Sequence, residues 1–415
     1  MNQNDIFEQR KALYMPSSAG RNFLLLCCIA VGVVTFIMGM ATGNQVRTWG
    51  GFLLNLMLFF SISLGGVAFG SMQDVIGAVW GRPIKRLHET FSAFLPYAMI
   101  LFFVFFFCLR TETLQANKVY RWVADAHLLH DFPGKNVWLT LDFMIIRDVL
   151  ALLIIGWLSR WHMKQTLQRD LLLIDGKKEE SFKVGMQSQE KLRYWSAPIL
   201  VVYALCFTLL TFDLTMSLAP TWFSTLWGGW SFAIMMQTLM AFILLFMFAL
   251  RGSNLGSFFK QEQYHDVGKL MHGFTVFFAY LTYSHVLTYW YTNIPEETSY
   301  FLTRMQAPWI NYLIAAPFLS FLFPFIMLIF KDSKWTSWLT VPIAIIVIIS
   351  QWLSYFLIVT PEVAAVKIWD FPWIELGIFI GFAGFFVAVI CHFGKKVPMV
   401  SIADPLLLPS LNQGH

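Results

Sequence analysis

Residues 265–297, HDVGKLMHGFTVFFAYLTYSHVLTYWYTNIPEE, are long enough to cross a bilayer, yet they carry His265, Asp266, Lys269, His272 and His285. An ionisable side chain in hydrocarbon costs about 2.5–3.5 kcal/mol on insertion scales, so a spanning helix bearing several needs a reason. At helical period His265, Lys269 and His272 fall at i, i+4 and i+7 and share one face, which reads as a polar spine inside a membrane bundle. His285 lies on another face toward the far end. Comparable groups recur in other apolar runs: His88 and Glu89 opening one, Asp142, Arg147 and Asp148 in the next, and Asp213 closing the one after. Imidazoles and carboxylates at staggered depths can relay protons through water, so proton conduction is the chemistry these residue types suggest. The plainer roles are compensating charges for Arg147 and Asp148, water-satisfied interface positions for His88 and Glu89, and hydrogen-bonded core histidines for His272 and His285. Five cysteines form no C-x-x-C or C-x-x-C-H pattern, which argues against iron–sulfur, zinc or covalent haem ligation by this chain.

The elements that must position these groups follow from composition. With 57% hydrophobic and 13% charged residues, the chain reads as an all-α, polytopic membrane protein. Ten apolar runs have spanning length: 23–41, 52–72, 87–109, 137–158, 197–218, 230–250, 267–291, 309–330, 338–359 and 373–393. The first is too long for a signal-peptide core and is expected to stay as a transmembrane helix. Ten spans put both termini on one side. That side holds 21 of the 29 Lys and Arg residues, so the positive-inside rule assigns both termini to the cytoplasm. Of the longer loops, 110–135 is expected to form a small surface helix and 160–193 a solvated helical hairpin. The tail after Lys396, with Pro398, Pro405 and Pro409, is expected to lie extended on a neighbouring subunit.

An internal repeat sets the domain plan. Trp49-Gly50-Gly51-Phe52 is matched by Trp227-Gly228-Gly229-Trp230. The stretch from Arg86 to Phe94 is matched by that from Lys269 to Phe277, and Trp138 by Trp309. The offsets of 178, 183 and 171 residues indicate one duplication, with an even number of spans per copy keeping the copies parallel. The expected layout is a tail and flanking helix (1–46), two four-helix bundles (47–218 and 219–360, spans 2–5 and 6–9), and a second flanking helix with its cytoplasmic tail (361–415).

Three stretches carry a family resemblance: FDLTMSLAPTWFSTLWG (212–228), residues 265–298 with their Y-x-N-I-P-E-E ending, and the span after Trp309. They resemble the NrfD/PsrC-like membrane subunits, and among them the ActF type of bacterial alternative complex III, a quinol:electron-acceptor oxidoreductase. The resemblance implies two four-helix bundles with two outer helices, in the bacterial inner membrane. It also implies no redox cofactor in this chain and a proton path coupled to quinol oxidation. Implied partners are multihaem cytochrome c subunits, a large iron–sulfur subunit, a homologous quinol-binding membrane subunit, small membrane subunits and, as an optional associate, a terminal oxidase. In that picture His88, Glu89, Lys269 and His272 form an inner half-path. Asp142, Arg147, Asp148, Asp213 and His285 belong to the outer one. Where relatives read S-L-(Glu or Asp)-P-His-W, this chain has Ser217-Leu218-Ala219-Pro220-Thr221-Trp222, so an exit through a carboxylate or imidazole there is lost. Two other functions stay open: the quinol-oxidising subunit itself, with a base among the outer groups, and a secondary transporter. Facing mid-helix histidine pairs, as a b-type cytochrome needs, are missing.

Overall fold

The computed structural model describes residues 13–129, 133–363 and 371–412, and every regular element among them is helical. In chain order the principal helices are α1 (Ala19–Ala41), α2 (Gln45–Val75), α3 (Arg82–Glu89), α4 (Leu95–Arg110), α5 (Leu141–Ile174), α6 (Lys178–Leu214), α7 (Trp227–Leu250), α8 (Gln261–Thr292) and α9 (Pro295–Met305). Then come α10 (Trp309–Pro317), α11 (Phe323–Ile329), α12 (Ser337–Val363), α13 (Trp373–Gly394) and α14 (Leu407–Asn412). A 3₁₀ turn, Thr90–Phe94, joins α3 to α4, and a π turn, Phe318–Leu322, joins α10 to α11. Among the described residues, eight helical stretches are long and apolar enough to cross a membrane. They cover all the expected runs except 137–158 and 267–291. Those two lie in α5 and α8, which have the length, at 34 and 32 residues, but too many polar groups.

The packing is centred on α2. It is apolar nearly all round, and 94% of its apolar window is buried, against 17% for α1. Around it stand α6, α7, α12 and α13. The outlying α1 packs along α13 through a seam of small residues, Cys28, Gly32 and Thr35 facing Gly384, Gly381 and Gly377. A Cβ on Gly381 would sit 2.6 Å from the Gly32 Cα, so the backbones meet only because neither position has a side chain. The π turn answers a different demand. Pro317 and Pro324 remove backbone donors around it, and the Ser320 carbonyl accepts from Gln237 Nε2 at 2.9 Å.

Three expectations are corrected. Among its described residues the 110–135 loop forms only short helical pieces, such as Arg121–Ala124, and no single surface helix. It folds into short turns that bury Ala116, Val119, Tyr120 and Trp122, and Tyr120 donates to the Leu214 carbonyl at 3.1 Å. The tail needs no neighbouring subunit to lie on: Met399, Val400, Ser401 and Leu407 are buried in this chain, and Met399 N–H donates to the Leu13 carbonyl at 2.9 Å. An extended segment with apolar residues finds its cover wherever the chain's own surface is complementary, and here that surface is close by. Third, α8 turns Tyr264, Val267, Met271, Thr275 and Phe278 inward, leaving Lys269 exposed and His265 and His272 half-buried. The expected spine therefore lies on the outward side of its helix. The 160–193 hairpin does form, as continuations of α5 and α6 around Gly176, whose φ of +84° suits glycine.

Substituting Gly381→Leu forces a side chain into the α1 backbone. Thermal unfolding in detergent should show a loss of about 1–3 kcal/mol, as overpacking typically gives, whereas Gly20→Ala, which meets nothing, should not lower stability.

Candidate functional site

Two buried polar clusters occupy opposite ends of α5. The first gathers at the end where the described termini meet. It is built from the end of α2 (Asp74), one face of α3 (Arg82, Lys85, Arg86, His88, Glu89), the extension of α5 (His162, Thr166, Arg169, Asp170) and the tail (Ser401, Asp404). None of these side chains is appreciably exposed. Asp74 receives Lys85 Nζ at 2.5 Å, Arg82 Nη1 at 2.9 Å and His162 Nε2 at 3.3 Å. Arg86 lies 3.2 Å from Glu89 and donates to Asp170 at 2.6 Å and to the Thr166 carbonyl at 2.8 Å. Arg169 meets Asp404 at 2.5 Å, and Arg82 approaches the same carboxylate at 3.3 Å. Asp170 holds the tail directly, accepting from Ala403 N–H at 2.8 Å and from Ser401 Oγ at 3.1 Å.

Four cations (Arg82, Lys85, Arg86, Arg169) thus face four carboxylates (Asp74, Glu89, Asp170, Asp404), and the balance includes one member from the tail. Burial alone would raise the Asp404 carboxyl. The guanidiniums of Arg169 and Arg82 and the Lys85 ammonium more than offset this and hold it at about 2.

Within this cluster a smaller group lacks hydrogen bonds, although Arg86 and Lys85 lie 3.2 and 3.9 Å from the Glu89 carboxylate. Neither oxygen of Glu89 is hydrogen-bonded, nor are His88 Nε2 and His162 Nδ1. The His162 Nδ1 is 3.8 Å from Glu89, while His88 donates its other nitrogen to the Gly66 carbonyl at 2.8 Å. All three converge on Gly70, where a Cβ would lie 3.3 Å from His162 Cε1, 3.4 Å from His88 Cε1 and 3.5 Å from Glu89 Cγ. Buried polar atoms of this kind are normally satisfied by water. Sequence reasoning missed His162 and Asp74. His162 stands in a stretch read as solvated, and only its place on the α5 face that carries Thr166, Arg169 and Asp170 hinted otherwise.

The second cluster joins α5 to α6. Arg147 grips Asp213 with both ends of its guanidinium, at 2.5 and 2.7 Å, and donates to the Trp138 carbonyl at 2.7 Å. Its guanidinium carbon lies 4.1 Å from the centre of the Trp138 ring, and Trp138 Nε1 donates to Asp213 at 3.2 Å. Asp148 is fully buried against the Asp213 carboxyl and near Tyr120, and neither of its oxygens receives an N–H donor. Two carboxylates therefore share one guanidinium, which is committed to Asp213.

The remaining expected residues stand apart. Asp142 is exposed and paired with Arg110 at 2.7 Å. His285 hydrogen-bonds Ser224 at 2.8 Å and lies edge-on beside the paired rings of Trp227 and Trp230. Lys269 pairs with Asp266 at 3.2 Å, and His272 stacks on Phe325. Neither touches the His88–Glu89 group. Between the clusters, Asp148 and His162 are 14 residues apart, about 21 Å of helix at 1.5 Å per residue. Ala151, Leu152 and Ile155 fill the first part of that gap; the buried hydroxyls of Ser159 and Tyr203, bonded to each other, stand beyond. Among the described residues no group of three or more His, Cys, Asp or Glu is placed to hold a metal ion. Neither a family model nor a curated protein matches this chain.

Removing one member of a buried ion network leaves its partners uncompensated, so Asp404→Ala should destabilise by about 3–5 kcal/mol in denaturant titration. The double variant Asp404→Leu with Arg169→Met should recover most of that loss. Because the folded Asp404 carboxyl is held below its ordinary value of 3.8, its contribution is fully present above that pH and lost as pH falls toward about 2. Hydrogen exchange at the Ala403 amide should accelerate across that window, and this acid-dependent component should vanish in Asp404→Asn.

Proposed function

We propose that this chain is an integral membrane subunit of a quinol:electron-acceptor oxidoreductase of the alternative complex III type. In this reading it carries no redox centre of its own and conducts protons during quinol oxidation. The supporting observation is the pair of buried clusters at opposite ends of α5, each containing a carboxylate without an N–H hydrogen bond, Glu89 in one and Asp148 in the other. The resemblance of residues 212–228 and 265–298 to ActF-type subunits supplies the biological setting. That setting includes ten crossings counting α5 and α8, two repeated bundles, both termini cytoplasmic in a bacterial inner membrane, and cytochrome, iron–sulfur and quinol-binding partners.

On this reading the inner half-path runs through Asp74, His162 and Glu89, with His88 beside them. Asp74 and Glu89 are flanked by cations that make the region hospitable to negative charge, and His162 bridges the two carboxylates. In the outer half Arg147 satisfies Asp213, which leaves Asp148 as the carboxylate able to take up and release a proton. The apolar stretch 151–155 separates the halves. A transient file of water, or a shift of α5 against α6, has to connect them during turnover.

Replacing Glu89→Gln or Asp148→Asn in the assembled complex tests this. Each should lower the rate of proton-coupled quinol turnover by about a hundredfold, the low end of what loss of a positioned proton-transfer group costs. Lys269→Gln, on the outward face, should leave turnover unchanged. Unaltered rate and protons per quinol in the first two variants would make both clusters purely structural.

A further inference from the structure

The outward stripe of α8 is not used by the proposed path, and its surroundings give it another use. The chain after α11 brings Lys331 and Lys334 against it. The charges of Lys269, Lys334 and Lys331 all bear on His265, and that of Lys334 bears on His272. Lys334 is held in place: its Nζ donates to the Phe330 carbonyl at 3.1 Å, and its stem lies against Gly268, where a Cβ would fall 2.8 Å from the Lys334 Cβ. Aromatic rings hold the other groups. The His265 ring is 5.4 Å from that of Trp335, Lys331 Nζ is 5.4 Å from the same ring, and His272 stacks on Phe325 at 5.1 Å. The His272 Nδ1 is buried without a partner. Against these basic groups stand Asp266, already 3.2 Å from Lys269, and the exposed Asp332. Ile326, Ile329 and Phe330, on the same helix as Phe325 and its end and leading directly into Lys331, are about half exposed or more.

A surface that is basic at the end of its helices and apolar along them matches an amphiphile with an anionic head. We propose that the face formed by α8 and the α11–α12 turn binds an anionic phospholipid of the adjacent leaflet. The phosphodiester lies among Lys269, Lys331 and His265, and the acyl chains lie against Ile326, Ile329 and Phe330. A peptide carboxylate could satisfy the lysines, but it would leave the apolar wall uncovered. The lipid also explains how Lys269 is tolerated at the hydrocarbon boundary, since the phosphate supplies the counter-charge that Asp266 alone, shared with His265 at 3.9 Å, does not complete. This inference rests on the chain lying in a membrane and is independent of proton conduction.

The test uses the purified full chain in bilayers of equal parts phosphatidylglycerol and phosphatidylcholine, each spin-labelled in turn. Motionally restricted lipid is read by electron paramagnetic resonance. The unmodified chain should retain phosphatidylglycerol over phosphatidylcholine by a factor on the order of five. The double variant Lys269→Gln with Lys331→Gln should bring that ratio near one. Both residues are exposed, and an unchanged melting temperature in phosphatidylcholine alone verifies the fold. Lys164→Gln with Lys191→Gln, on the distant hairpin, should leave the preference intact. The proposal is overturned if the double variant at Lys269 and Lys331 keeps the preference, if the hairpin variant loses it equally, or if the former loses only a copurifying polypeptide.

Discussion

Four buried cations and four buried carboxylates at one end of this protein must find one another, and much of the architecture there follows from that need. Taking each ion out of water costs several kcal/mol, which neighbouring opposite charge returns only when the geometry is close and the remaining donors and acceptors are filled. The participants come from positions as far apart as Asp74 and Asp404, so the network can exist only when α2, α3, α5 and the tail are all in place. Its energetics thus reward the complete assembly and penalise any part of it. The tail is drawn in partly because it brings the fourth carboxylate, Asp404.

The same constraint explains why the network is not fully satisfied at its centre. Gly66 and Gly70 let the α3 backbone and the His88, Glu89 and His162 side chains crowd against α2, and that crowding leaves imidazole and carboxylate atoms facing one another without direct bonds. Imidazole and carboxylate atoms left open in this way are positions that buried water normally fills. At the far end of α5, Arg147 closes on Asp213 while Asp148 lies against that pair with no N–H donor of its own.

The two polar groupings were partly legible. The apolar runs announced the helices, and Arg147, Asp148 and Asp213 stood out because charge within such runs is expensive. What misled was one-dimensional proximity. His265, Lys269 and His272 share a helical face, which periodicity shows, but periodicity does not say whether that face points to the bundle or away from it. The α8 stripe of Val267, Met271, Thr275 and Phe278 competes for the inward position, and packing against α7 gives it the place. Conversely His162, Arg169 and Asp170 sit among enough charged neighbours to look solvated, while the α5–α6 hairpin and the tail together enclose them.

By itself the sequence determined the all-helical class, most of the helix positions and the glycine and proline punctuation, because these depend on local hydropathy and backbone geometry. Tertiary structure alone decided which faces turn inward, that the tail covers its own chain, and that Asp404 completes a network begun by Asp74. Those outcomes depend on the summed desolvation and pairing of groups hundreds of residues apart, and no local pattern in the chain encodes that sum.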